Sequence, residues 1–153
     1  MSNVKFYQTL TFEKYYPLFF GGLVLFLCFY LAESWMLVLP RGDSFLSSVV
    51  TLGGIFAGFT LTLKAFVLSD VDRVKKLQES SYYDVYMSYV TQSIDVALLL
   101  SASAIFGFFG TLKDNNMYLS FLVSMTVISL LCVRRSAKIS TATITAKSRP
   151  KAG

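Results

Sequence analysis

No histidine occurs in this chain, and that absence excludes Ser-His-Asp triads, His-ligated zinc centres and histidine proton switches. Cysteine occurs only twice, proline three times and tryptophan once in 153 residues. Cys28 falls midway along one apolar run and Cys132 at the end of another, so their depths do not match. Both are expected as reduced packing residues, not as a disulfide. Charge is scarce too: Asp, Glu, Lys and Arg make up 15%, where a soluble domain has about 25%. Neither a Walker loop nor a dinucleotide fingerprint is present. Neither catalysis nor a cofactor is therefore expected.

What the chain has in quantity is apolar length. Hydrophobic residues reach 54% and mean hydropathy is +0.57. Tyr15 to Ala32, Ser44 to Leu63, Val96 to Leu112 and Asn115 to Val133 carry no charged side chain. Each is about long enough to cross a bilayer as a helix. The expectation is an all-α integral membrane protein with spans near 16–39, 45–68, 94–112 and 117–133. Outside these spans no segment exceeds about 25 residues, too few for a separately folded domain. The first run begins late and lacks a small-residue cleavage pattern, so it reads as a span and not as a removed signal peptide.

Charge asymmetry orients the spans. Of fourteen Lys and Arg residues, Lys5, Lys14, Arg73, Lys75, Lys76, Arg134, Arg135, Lys138, Lys147, Arg149 and Lys151 fall in the N-terminal arm, the middle segment and the tail. Arg41 and Lys113 alone occupy the other two loops, and Lys64 lies inside a span. The positive-inside rule then places both termini and the middle segment in the cytoplasm. The arm up to Lys14 suits either an interfacial helix or a flexible arm. Tyr15, Tyr16 and Trp35 supply aromatic belts. Pro40-Arg41-Gly42-Asp43 is a tight external turn whose RGD tripeptide is turn chemistry, and Lys113-Asp114-Asn115-Asn116 is a second. Residues 69–93 read as a cytoplasmic hairpin of two helices turning at Ser80-Ser81. The spans form one domain, 1–133, and the basic, Ser- and Thr-rich residues 134–153 read as a disordered tail.

Three constellations are candidate sites. On the second span, Ser44, Ser47, Thr51, Gly54, Gly58 and Thr62 fall within about 80° of one another, a stripe of small and weakly polar side chains. Two readings fit: close packing against neighbouring helices, or the lining of a pore built by several copies. Ionisable residues at membrane depth form the second group. If the hairpin is symmetric about Ser80-Ser81, Lys64 and Asp95 lie at matching depth and suit an ion pair, although a lysine near a span end also snorkels to the interface. Glu33 either marks a shallow interface or, repeated around an axis, forms an acidic outer mouth. The third group sets Tyr82, Tyr86 and Tyr89 beside Arg73, Lys75 and Lys76. Rings beside basic groups suit nucleotide stacking and phosphate contact, and equally suit anchorage at an anionic membrane surface.

The stretch Thr51-Leu52-Gly53-Gly54-Ile55-Phe56-Ala57-Gly58-Phe59, continuing through Thr60 to Ser69, Val74 to Ser80 and Tyr83 to Tyr89, resembles small membrane effectors of bacterial anti-phage systems. These are the retron-associated transmembrane effectors and the channel-forming effector of the Hailong system. The resemblance covers roughly residues 51 to 95. It implies a multi-pass protein of the bacterial inner membrane, silent until infection, that then permeabilises that membrane. In the Hailong case it also implies a DNA-oligomer ligand made by a partner enzyme encoded nearby. Together the sequence features lead to the expectation of a homo-oligomer, with a tetramer favoured, forming a gated ion-conducting pore. The alternatives are a non-conducting membrane anchor and a holin-like lysis protein.

Overall fold

A backbone in hydrocarbon finds no water to bond, so each long apolar run satisfies its N–H and C=O groups within itself as a helix. The computed structural model describes residues 2–34, 39–79, 83–109, 112 and 115–145, with side chains described from Tyr15 to Thr141 apart from Arg73 and Lys76. Five helices follow in order: α1 (Ser2–Glu33), α2 (Asp43–Leu68), α3 (Val71–Glu79), α4 (Tyr83–Phe106) and α5 (Asn116–Thr145). The described residues contain no strand. Four helical stretches are long and apolar enough to cross a membrane: Tyr15–Glu33, Asp43–Leu68, Tyr83–Phe106 and Asn116–Thr141.

The helix ends follow local chemistry. Ser34, just past the end of α1, donates from its hydroxyl to the Leu31 carbonyl at 3.1 Å, and residues 35–38 of the expected first span lie outside those described. Gly42, at φ 99°, takes the left-handed conformation that only glycine adopts cheaply and turns the chain into α2. Asp70 caps α3 by accepting from the Asp72 N–H. Asn115 does the same for α5 through the N–H groups of Met117 and Tyr118, at 2.8 and 3.4 Å. Arg41 donates to the Asn116 side-chain oxygen at 2.9 Å and ties the α1–α2 turn to the start of α5.

At the ends, one open alternative is decided and one expectation is corrected. Residues 2–14 are helical and continuous with α1. Residues 134–145, assigned to a disordered tail, continue α5, because its buried face does not stop at Arg134: Arg135, Ser136 and Ser140 are buried. Residues 146–153 lie outside those described, as do Trp35 and Ser80-Ser81.

The bundle is organised around α5, which packs on α1, α2 and α4, while α2 also packs on α4. Lipid rewards apolar burial between helices far less than water does, so close approach and interhelical hydrogen bonds must hold the bundle. The sequence supplies both. Ser120, Ser124, Cys132, Ser136 and Ser140, spaced in fours and eights, are all buried. Ser124 donates to the Gly21 carbonyl at 2.7 Å, Ser136 to the Tyr89 carbonyl at 3.2 Å, and Tyr16 to the Leu131 carbonyl at 3.4 Å. Ser101 reaches the Val50 carbonyl at 3.3 Å, and Tyr118 donates to the Ser103 carbonyl. Apolar clusters fill between them. Leu46, Val49, Leu100, Ala104 and Leu122 form one near the Arg41 end, and Val67, Leu77, Tyr86 and Val90 form another under α3. Both cysteines are free.

Glycine marks two kinds of surface. A methyl group added at Gly53 would meet the Ser101 side chain and stand 2.8 Å from the Ala97 carbonyl, whereas one added at Gly54 or Gly58 would meet nothing within 4 Å. Gly53→Val should therefore destabilise the folded chain by about 1–3 kcal/mol through overpacking of α2 on α4. Gly54→Ala should be neutral or stabilise it by up to about 1 kcal/mol. Unfolding in mixed micelles measures both, and equal effects at the two positions would refute this assignment of faces.

Candidate functional site

Viewed down its axis at about 100° per residue, α2 has three sectors. Leu46, Val49, Gly53, Ala57, Thr60 and Val67 are buried. Leu52, Ile55, Phe59 and Phe66 are large, apolar and exposed, as a lipid-facing surface requires. Between these sectors runs the stripe of Ser44, Ser47, Thr51, Gly54, Gly58 and Thr62, and every one of its residues is exposed. The stripe thus packs against no helix of its own subunit. That role belongs to Gly53 and Ala57, on the adjoining sector. Thr51 and Thr62 donate their hydroxyl protons back to the Ser47 and Gly58 carbonyls at 2.9 and 2.8 Å. Their donors are satisfied inside the helix, and their oxygen lone pairs are left to face outward.

The ion pair expected between Lys64 and Asp95 is absent: among the described residues neither side chain has a charged partner. Register explains this. Gly53 lies against Ala97 and Ser101, which places Lys64 level with about Ser88, because the chain of the short helix α3 (Val71–Glu79), which a symmetric hairpin would have used to extend α2, forms a separate helix after α2 ends at Leu68. Direction adds to it, since Asp95 is exposed on the face of α4 opposite the buried Ser93 and Ala97. Glu33 is exposed at the end of α1, a helix that packs chiefly on α5, and the structure does not bring it to the stripe.

The aromatic and basic cytoplasmic surface is also corrected. Tyr86 is 1% and Tyr89 3% exposed, so neither ring is free to stack on a ligand. Tyr86 is core beneath α3. Both tyrosines lie on the face of α4 that carries Val90, Ser93 and Ala97 into the bundle, which overrides the aromatic-beside-basic pattern. Lys75 is exposed on α3. Tyr82 and the side chains of Arg73 and Lys76 lie outside the described residues.

In place of that surface the structure builds a buried cation. Arg135, only 4% exposed, sets its guanidinium 3.8 Å from the centre of the Tyr89 ring and donates to the Gln92 side-chain oxygen at 2.7 Å. A guanidinium at this depth is costly unless an aromatic face and polar oxygens replace its water. The sequence signal is the small-residue period on α5, which runs past Arg134 and places Arg135 about one turn beyond the buried Cys132. Among the described residues, no three His, Cys, Asp or Glu side chains gather where they could hold a metal ion.

No family model, no curated protein and no solved structure matches this chain. The resemblance of residues 51–95 to anti-phage effectors gains nothing from these comparisons.

Arg135→Leu should cost about 1.5–3 kcal/mol for the lost charged hydrogen bond to Gln92 and up to about 2 kcal/mol more for the ring contact. Arg135→Lys should recover only part of this, since an ammonium does not stack as a planar guanidinium does. Denaturant titration of the purified protein in detergent measures both, and an unchanged midpoint for Arg135→Leu would show that the cluster does not hold α4 to α5.

Proposed function

We propose that this chain assembles with copies of itself, a tetramer being favoured, into a gated ion-conducting pore whose axis is lined by the stripe on α2. One observation carries the proposal: a continuous row of small, weakly polar residues at membrane depth is exposed and unused by its own subunit, although the same helix offers both a packing sector and a greasy one. Lipid would be served better by Leu or Phe at Gly54 and Gly58. A narrow aqueous axis is served by glycine, which leaves room, and by hydroxyl oxygens whose protons are turned inward. Outward lone pairs favour cations over anions. The charge bias sets both termini and α3 in the cytoplasm. The role in anti-phage defence, with release of a silencing ligand as the gating signal, rests on the resemblance of residues 51–95, as does the bacterial inner membrane as location.

The decisive variant is Gly58→Leu. A leucine at an unobstructed axis-facing site should abolish ion flux in reconstituted vesicles while insertion and thermal stability stay at the parent level. Loss of assembled protein with normal flux per assembled particle would instead make the stripe a packing surface, and the chain an anchor or assembly subunit. Thiol labelling from outside intact cells should reach a cysteine placed at Asn115 and fail at Lys75. The reverse pattern would invert the topology.

A further inference from the structure

Helix α5 carries a basic pair that its own subunit leaves unused. Arg134 and Lys138 are exposed, and among the described residues neither takes part in a hydrogen bond or ion pair. Because residues 134–145 continue the helix, the two stand one turn apart, with their Cβ atoms about 6 Å from each other. The same face runs back through Leu130, 52% exposed, to the half-buried Val127 and Val123. All five lie within about 80° around the axis, so a strip of aliphatic side chains ends in two cations. Neighbouring helices leave this strip open. Arg134 is about 160° around α5 from Ser136, which bonds to α4, and about 120° from Ile128, which meets Gly21 of α1. The exposed carboxylates Asp84 and Asp95 sit on the far face of α4, opposite its buried Tyr86, Ser93 and Ala97.

Contacts between the helices mark the depth of the pair. Tyr16 donates to the Leu131 carbonyl at 3.4 Å, so the uncharged run of α1 begins where that of α5 ends. Gly53 against Ala97 and Ser101, with Ser136 bonded to Tyr89, brings Lys64 level with about Ala137 and Asp95 level with about Leu130. The uncharged runs of all four spans therefore end within about two turns of one another. Hydrocarbon gives way to headgroups at that level, which puts Arg134 and Lys138 among headgroups and the aliphatic strip beside acyl chains. We infer that this strip holds an anionic phospholipid of the cytoplasmic leaflet, its phosphate on Arg134 and Lys138 and an acyl chain along Leu130 and Val127. A guanidinium fork matches phosphate oxygens. The lysine adds a second charge on an apolar stem that prolongs the strip. Nucleic acid fits this face less well, because the tyrosines that would stack bases, Tyr86 and Tyr89, are buried. The leaflet follows from the charge bias, and the site stands apart from conduction along α2.

The test uses the full-length chain in vesicles of mixed phosphatidylcholine and phosphatidylglycerol, carrying Leu130→Trp in a Trp35→Phe background, since Trp35 is the one tryptophan of the sequence. Quenching by phosphatidylglycerol brominated in its acyl chains, compared with brominated phosphatidylcholine, reads which lipid lies against the strip. Both leaflets carry both lipids, so orientation in the vesicle does not matter. The anionic lipid should be preferred roughly tenfold or more, because each basic residue at an anionic surface is worth about fivefold. Arg134→Gln should cut the preference several-fold, Arg134→Lys should keep most of it, and Arg134→Gln with Lys138→Gln should bring it to parity. Phe19→Trp is the control, at the same depth but on the exposed face of α1 turned away from α5, and there the two lipids should quench alike. Parity at Leu130→Trp, an equal preference at Phe19→Trp, or a preference that survives the double substitution in inserted protein would overturn the site. Parity together with binding of a single-stranded oligonucleotide that the double substitution abolishes would assign the pair to nucleic acid instead.

Discussion

Everything in this fold depends on the poor reward that lipid gives for bringing two apolar helices together. Leucine against leucine is worth little more than leucine against an acyl chain, so specificity must come from surfaces that let backbones approach and hydroxyls bond across the gap. The bundle meets this demand on α5, where buried serines reach α1 and α4. Each such bond is worth of order 1 kcal/mol, and together they fix register where greasy contacts alone would slide.

The same constraint gives meaning to α2. Small residues in a membrane helix are a cost unless something approaches them, and α2 has two rows of them. Gly53 and Ala57 are taken up by α4. The second row, through Thr51, Gly54 and Gly58, is left bare, and it is this row that the proposed pore would use. A subunit finished on the α5 side and unfinished on the α2 side fits a ring-forming component better than a self-contained monomer.

Spans and turns were legible in the sequence because hydrocarbon enforces them: uncharged runs of bilayer length must be helices, and Gly42 and Asn115 stand where turn chemistry puts them. The stripe was legible as a row, but which of two adjacent glycines packs was not. Gly53 and Gly54 differ by one residue and 100° of rotation, and only the position of α4 decides between them. Lys64 and Asp95 were misplaced because their pairing needs the register of two helices across α3, and no local signal reports where that helix absorbs chain. Arg135 was missed because a basic pair opening a Ser- and Thr-rich run reads as the start of a disordered tail. Its burial follows from tertiary context, with Tyr89 and Gln92 brought to it by α4. For the same reason Tyr86 and Tyr89 were assigned to a surface when they belong to the core.

Water access along α2 tests the central claim most directly. Single cysteines placed from position 44 to 62 in vesicle-embedded protein, probed with a membrane-impermeant thiol reagent under conditions that open the channel, should react at 47, 51, 54, 58 and 62. They should stay silent at 52, 55 and 59, which face lipid, and at 53 and 57, which face α4. Reactivity confined to the helix ends, with 51, 54 and 58 as silent as their neighbours, would show that no aqueous axis runs along the stripe.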